Sequence, residues 1–230
     1  QRAYDNVIHD VAIQDLPVVM CLDRGGLVGE DGVTHHGVFD MAAFGAVPGL
    51  TIAAPMNEPE LRNMMYTALG SGHPFMIRYP RGHGEGLPWR GEKFETLPVG
   101  RGRRLREGAD VALLTVGTVG NAAARAAGRA AAEGVSVAHY DLRFVKPLDE
   151  ALLDEVGRKF RRVVTVEDGS LRGGVGEAVA AFFNGRGYDV RVQRLGIGDE
   201  WVEHGTPGQL YALCGYDEEG ILRALLDTRA

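Results

Sequence analysis

Short apolar runs alternate along this chain with stretches whose apolar side chains recur every three or four positions, the spacings of strands and amphipathic helices respectively. Ala3, Val7, Ile8, Val11 and Ala12 predict a helix over residues 2–14, and the run from Pro17 to Leu22 predicts a strand. A short helix follows at 39–44, then a strand at 50–54, a helix at 58–69 with Asn57 as its N-cap, and the strand Phe75-Met76-Ile77-Arg78. The period is lost over 82–98, where glycines, prolines and charged side chains predict a linker. Alternation then resumes: strands at 111–116, 135–138 and 162–166, and helices to about 133 and near 149–157, 174–184, 207–213 and 218–227. Short apolar strands separated by helices build parallel sheets covered on both faces. The expected fold is α/β with two doubly wound domains of mostly parallel sheets, over 1–84 and 99–230 with a linker at 85–98.

The chain has 230 residues, 45% of them hydrophobic, enough to bury two cores. Its 25 basic and 31 acidic side chains give a net charge of −6, which argues against a chain devoted to neutralising a nucleic-acid backbone. Cys21 and Cys214 read as buried thiols of a reducing compartment, and no apolar run approaches the ~20 residues needed to span a bilayer. A cytoplasmic location is expected. The opening at Gln1, already inside a helical pattern, suggests a chain that continues upstream.

The densest chemistry lies between Asp23 and Gly37, the segment that leaves the carboxyl end of the first strand, where ligands of open parallel sheets bind. Its glycines let backbone approach a ligand, while Arg24, Asp31 and His35 offer a cation, a carboxylate and a titratable imidazole. Arg78 and Arg81 follow the strand at 75–78, so Arg24 and Arg81 could form a fork for a phosphate. On spacing alone the arginines fit equally a surface or ion-paired role, and the loop fits an ordinary solvated connection.

The stretch Gly29-Glu30-Asp31-Gly32-Val33-Thr34-His35-His36-Gly37 resembles the transketolase-superfamily signature of the pyrimidine-binding domain, with Val33 a mild departure. Within that superfamily, Gln1-Arg2-Ala3-Tyr4-Asp5, His9-Asp10-Val11-Ala12, Asp23-Arg24, Arg78-Tyr79-Pro80-Arg81-Gly82 and the segment from Asp141 to Asp149 are similar to the deoxyxylulose-phosphate synthases. The resemblance runs from end to end. It implies an incomplete pyrimidine-binding domain followed by a transketolase C-terminal domain, the latter with structural and dimer-supporting duties. It also implies condensation of pyruvate with D-glyceraldehyde 3-phosphate to 1-deoxy-D-xylulose 5-phosphate and CO2, with thiamine diphosphate carrying the carbanion chemistry.

By matching motifs, Arg24 and Arg81 would hold the aldehyde's phosphate, Asp31 and His35 would be catalytic, and Arg2 would join the same pocket. Spacing does not separate His35 from His36 as proton donor, although the motif favours His35. In that family the diphosphate, its Mg2+ and the glutamate that activates the aminopyrimidine are anchored upstream. The expected partners are therefore a missing N-terminal portion, without which the chain is inactive, and a second copy in a homodimer.

Alternatives are a beta-type subunit of a 2-oxo acid dehydrogenase or split transketolase, and a non-catalytic assembly module. Glu30-Asp31-Gly32 with Asn57 approximates a Mg2+ motif, but its first glycine is replaced and no metal ligand is assigned to this chain. Val116-Gly117-Thr118-Val119-Gly120 and Gly173-Gly174-Val175-Gly176 could each present N–H groups to an anion, with packing and turn roles favoured. Arg101, Arg103, Arg104 and Arg106 read as a solvated strand face rather than an RNA site.

Overall fold

The computed structural model describes residues 2–227 and forms two packed α/β units. The first half begins with α1 (Tyr4–Asn6), which runs directly into a π-helical stretch, Val7–Ala12. There the Ile13 N–H reaches back five residues to the Ile8 carbonyl. Strands β1 (Val19–Leu22), β2 (Thr51–Ala53) and β3 (Phe75–Arg78) alternate with α2 (Asp40–Gly45) and α3 (Glu58–Leu69). Helix α3 starts where the Asn57 side chain accepts the Glu60 N–H at 3.2 Å, with Pro59 in its first turn.

Both faces of this sheet are buried. Ala53, Phe75 and Ile77 pack towards α3, while Ile52 and Met76 pack with Val7, Val47 and Leu50 on the other side. The period of two along each strand produces that division.

The second half contains β4 (Arg103–Arg106), β5 (Val111–Val116), α4 (Val119–Ala132), β6 (Val137–Asp141), β7 (Phe144–Lys146), α5 (Glu150–Lys159), β8 (Arg162–Ser170), α6 (Val175–Gly185), β9 (Arg191–Ile197), α7 (Pro207–Leu213) and α8 (Glu218–Leu226). Its sheet has the order β4-β6-β5-β8-β9, parallel except for β4. Val111 and Leu113 of β5 face α4 and α8, whereas Ala112, Leu114 and Val116 face α5 and α6. Helices thus cover this sheet on both sides, as the alternation predicts.

One strand crosses between the halves: the first sheet has the order β1-β3-β2-β7, and β7, which pairs antiparallel with β2, comes from the second half. Its first residue, Phe144, is fully buried against Phe75, with ring centroids 6.4 Å apart. A polar cluster at the same junction joins α3 to β4 and β6. Arg143 donates twice to Glu60, at 2.8 and 2.9 Å, and Arg103 bridges Glu60 at 2.8 Å and Asp141 at 3.1 Å.

The stretch predicted as a linker carries no helix or strand but is strapped to α3. Arg62 donates to the carbonyls of Trp89, Glu92 and Lys93 and lies over the Phe94 ring. Asn63 accepts the Glu95 N–H and Thr67 accepts the Leu97 N–H.

Two expectations need correction. Cys21 is exposed, because β1 is the outermost strand of its sheet with a neighbour on one side only. Cys214 is half-buried at the end of α7, and burial pushes its thiol up to about 11. Among the described residues no helix is long and apolar enough to cross a membrane.

Candidate functional site

Parallel strands β1, β3 and β2 end on the same edge of the first sheet, so the segments that follow them meet there. Arg24 follows β1 and takes φ 58°, in the left-handed region. Arg81 follows β3. Both reach one carboxylate: Arg81 Nη1 bonds Asp31 Oδ2, and Arg24 Nη2 lies 3.8 Å from the same oxygen. All three side chains remain partly open to solvent, with Asp31 at 31% exposure. Paired guanidiniums held by one carboxylate leave a net positive charge at an accessible sheet edge, the chemistry that recognises a phosphate.

The segment between Gly25 and Gly37 is closed by its own backbone. Gly26 N–H donates to the Gly37 carbonyl at 2.8 Å, Gly37 N–H returns to Gly26 at 2.9 Å, and Gly25 N–H bonds the Tyr79 carbonyl at 2.9 Å. A Cβ on Gly37 would lie 2.1 Å from the Arg24 carbonyl oxygen, so glycine is required at that crossing.

The two histidines differ. His36 Nδ1 accepts the Val28 N–H at 3.2 Å, and its Nε2 lies 3.1 Å from the Val202 carbonyl. A carbonyl can only accept, so the proton sits on Nε2 and the ring is neutral. His36 is therefore a latch between the loop and the second half. His35 is exposed, with Nδ1 2.9 Å from Thr34 Oγ1, and among the described residues its ring makes no hydrogen bond to the arginines. Arg2 is exposed ahead of α1 and makes no hydrogen bond or ion pair among the described residues.

Beneath the loop lies a buried polar layer from both halves. Arg78 is buried and donates to Asp40 Oδ2 at 2.6 Å and to the Asp168 carbonyl at 3.0 Å, an ion-paired structural role rather than a ligand site. The Asp168 carboxylate, only 4% exposed, accepts the Leu27 N–H at 3.0 Å, the Tyr216 hydroxyl at 2.7 Å and the Tyr211 hydroxyl at 3.3 Å. Burial, with Asp168 next, raises both tyrosines and keeps them protonated donors. Sequence reasoning missed Asp168; it lies two residues beyond the strand predicted at 162–166, in the part of β8 that only the structure shows, and carries no motif that marks it.

A cavity of about 660 Å3 opens between the halves at the same end, lined among others by Asn57, Tyr79, Arg81, Asn121, Arg125 and Tyr211. Arg81 thus belongs both to the carboxylate cluster and to this groove.

The remaining predicted signals resolve into structure. Asn57 caps α3 and Asp31 is paired with arginine, and among the described residues no group of three or more His, Cys, Asp or Glu side chains could hold a metal ion. The anion at the Gly173–Gly176 turn is the protein's own Glu167, which accepts the Val175 and Gly176 N–H groups at 2.8 Å each and is pushed up to about 7 by burial. Gly120 sits close under Thr115 and Met56, where α4 packs. Of the basic strip, Arg101 pairs with Asp149, Arg103 with Glu60 and Asp141, and Arg104 with Glu107 and Glu155.

Residues 100–221 match the family described as transketolase, C-terminal domain, and residues 1–85 match transketolase, pyrimidine binding domain. The chain belongs to the transketolase family. It is 59% identical over its whole length to the 1-deoxy-D-xylulose-5-phosphate synthase of Bacteroides fragilis, spanning 36% of that protein. Identity is 58% to the synthase of Bacteroides thetaiotaomicron, over 98% of this chain and 35% of the relative, and 48% to that of Symbiobacterium thermophilum, over 96% and 34%. The chain thus spans about a third of the length of the curated relatives it matches. Among solved structures, one described as a split gene transketolase, inactive beta4 tetramer, superposes with a TM-score of 0.86 at 27% identity, covering 97% of this chain and 71% of that one.

Proposed function

We propose that this chain is the C-terminal portion of a thiamine-diphosphate-dependent synthase that condenses pyruvate with D-glyceraldehyde 3-phosphate to 1-deoxy-D-xylulose 5-phosphate and CO2. The convergence of Arg24 and Arg81 on Asp31 carries this reading, because a condensing enzyme must anchor a phosphorylated acceptor before carbon–carbon bond formation. The high identity to synthases along the whole chain, against 27% to the split transketolase, favours this reaction over a transketolase subunit.

In this reading Arg24 and Arg81 bind the phosphate, and Asp31 orients their guanidiniums. His35 supplies a proton to the alkoxide that develops on the aldehyde oxygen, a role open to it because His36 is engaged at both ring nitrogens. Arg2 borders the same pocket. Thiamine diphosphate, when bound with Mg2+, supplies the carbanion equivalent. In the same reading the diphosphate and Mg2+ are anchored in the N-terminal portion, and the chain alone is inactive. The pyrimidine-binding part spans 1–84, the linker 85–98 and the C-terminal domain 99–230, in a cytoplasmic homodimer of the complete enzyme.

Steady-state kinetics of the complete enzyme test this. Arg24→Ala and Arg81→Ala should each raise KM for D-glyceraldehyde 3-phosphate about 10- to 100-fold, the loss of one charge-assisted hydrogen-bonding group, with pyruvate KM within about twofold. Unchanged acceptor kinetics in both variants would remove the proposal in favour of an assembly module.

A further inference from the structure

We propose that Asp168, in the second half of the chain, is a positioning residue for the loop that bears the acceptor-phosphate arginine. The inference rests on the acceptor reading above and adds to it a side chain that touches neither substrate nor cofactor.

Between Arg24 and Leu27 the backbone follows a tight path. Arg24 and Gly26 both take positive φ, 58° and 84°. Each amide that follows Arg24 is held by a different segment: Gly25 N–H by the Tyr79 carbonyl, Gly26 N–H by Gly37, and Leu27 N–H by the Asp168 carboxylate. Of these three anchors Asp168 is the only side chain, and its bond is sealed from water.

The approach is close enough to dictate sequence. A Cβ on Gly26 would lie 1.9 Å from Asp168 Oδ2, so the loop rests directly on the carboxylate. Tyr216 and Tyr211 hold that carboxylate from behind, and Arg78 donates to its backbone carbonyl, so it has little freedom to follow a moving loop. A non-glycine residue in the left-handed region, such as Arg24, persists only where its surroundings over-determine it. Removing the Asp168 acceptor leaves a buried N–H unpaired and lets the Arg24 backbone relax into commoner conformations. The binding-competent loop is then populated only part of the time, which raises the apparent constant for the aldehyde in proportion.

Kinetics and hydrogen exchange of the complete enzyme test the proposal. Asp168→Ala and Asp168→Ser should raise KM for D-glyceraldehyde 3-phosphate by about tenfold or more and leave pyruvate KM within about twofold. Asp168→Asn, whose amide oxygen still accepts from Leu27, should stay within about threefold of wild type. Amide exchange over 25–29 should accelerate in the serine variant while β5 stays protected. A rise of both KM values together, an asparagine variant as impaired as alanine, or unchanged loop exchange would each overturn the proposal. Arg24→Ala and Arg81→Ala, measured alongside, report on the acceptor reading separately. If they leave acceptor KM unchanged, that reading fails, while loop exchange still decides whether Asp168 positions the loop.

Discussion

His35 and His36 are neighbours in sequence with opposite fates, and the difference lies in what each ring nitrogen meets. His36 spends both nitrogens on backbone groups, one of them in the second half, whereas His35 keeps an exposed ring beside Thr34. In the complete enzyme His35→Gln should lower kcat about 100-fold or more while leaving pyruvate KM within about twofold, the pattern of a lost proton donor. His36→Gln should instead lower thermal stability, read by calorimetry. His139 illustrates a purely structural histidine. Only 1% exposed and 2.9 Å from Thr115 Oγ1, it is held down to about 4 by burial, with Arg103 and Arg106 adding to the effect. The unfolded chain therefore takes up a proton near pH 6.5 that the folded chain refuses until about pH 4. This contribution to stability is fully present above pH 6.5 and is lost as pH falls towards 4, amounting to about 3 kcal/mol. Urea unfolding of wild type and His139→Gln at matched pH should show that difference shrinking on acidification. The comparison cancels Asp141 and Glu167, whose raised values of about 6 and about 7 act in the opposite direction.

At the scale of elements, what joins the halves is β7 and the cluster at its root. Arg143 takes φ 59°, turning the chain so that β7 leaves the second unit and enters the first sheet, and its guanidinium is clamped by Glu60 of α3. Glu60→Ala strands the largely buried Arg143 guanidinium and leaves Arg103 with Asp141 alone, and should destabilise the chain by about 3–5 kcal/mol in denaturant unfolding. The strap along α3 depends on Arg62 in the same way: Arg62→Ala should speed proteolytic cleavage within 85–96, because three carbonyls lose their donor. Strands β5 and β3 and helices α3 and α7 were legible to the residue, since their apolar period, caps and prolines act locally. Strands β7 and β9 were not identified, and β4 was read only as a solvated strand face without bounds. β4 is largely charged on an exposed edge, β7 is three residues long, and β9, Arg191–Ile197 at the other edge, mixes polar and apolar side chains without a regular period. An edge strand keeps one solvated side, so the continuous apolar run that betrays a central parallel strand is missing.

For the whole molecule, a shared strand, a buried Asp168 and the His36 latch mean that neither half completes its own core. Native-state hydrogen exchange should therefore give β3 and β5 the same opening free energy, one in each sheet. Separate openings would mean that the junction contributes little. The alternation of strands and helices, the caps and the glycine-rich loop with its arginines follow from the order of residues alone, because each depends on neighbours a few positions away. Which charges meet was decided only by folding. Arg81 and Asp31 are fifty residues apart, and Leu27 and Asp168 are 141 apart, so their pairing depends on sheet order and on how one half is laid against the other. The physical reason is range: backbone preference and apolar period act within a turn or a strand, whereas a buried hydrogen bond is set by whichever surface the tertiary packing brings within 3 Å.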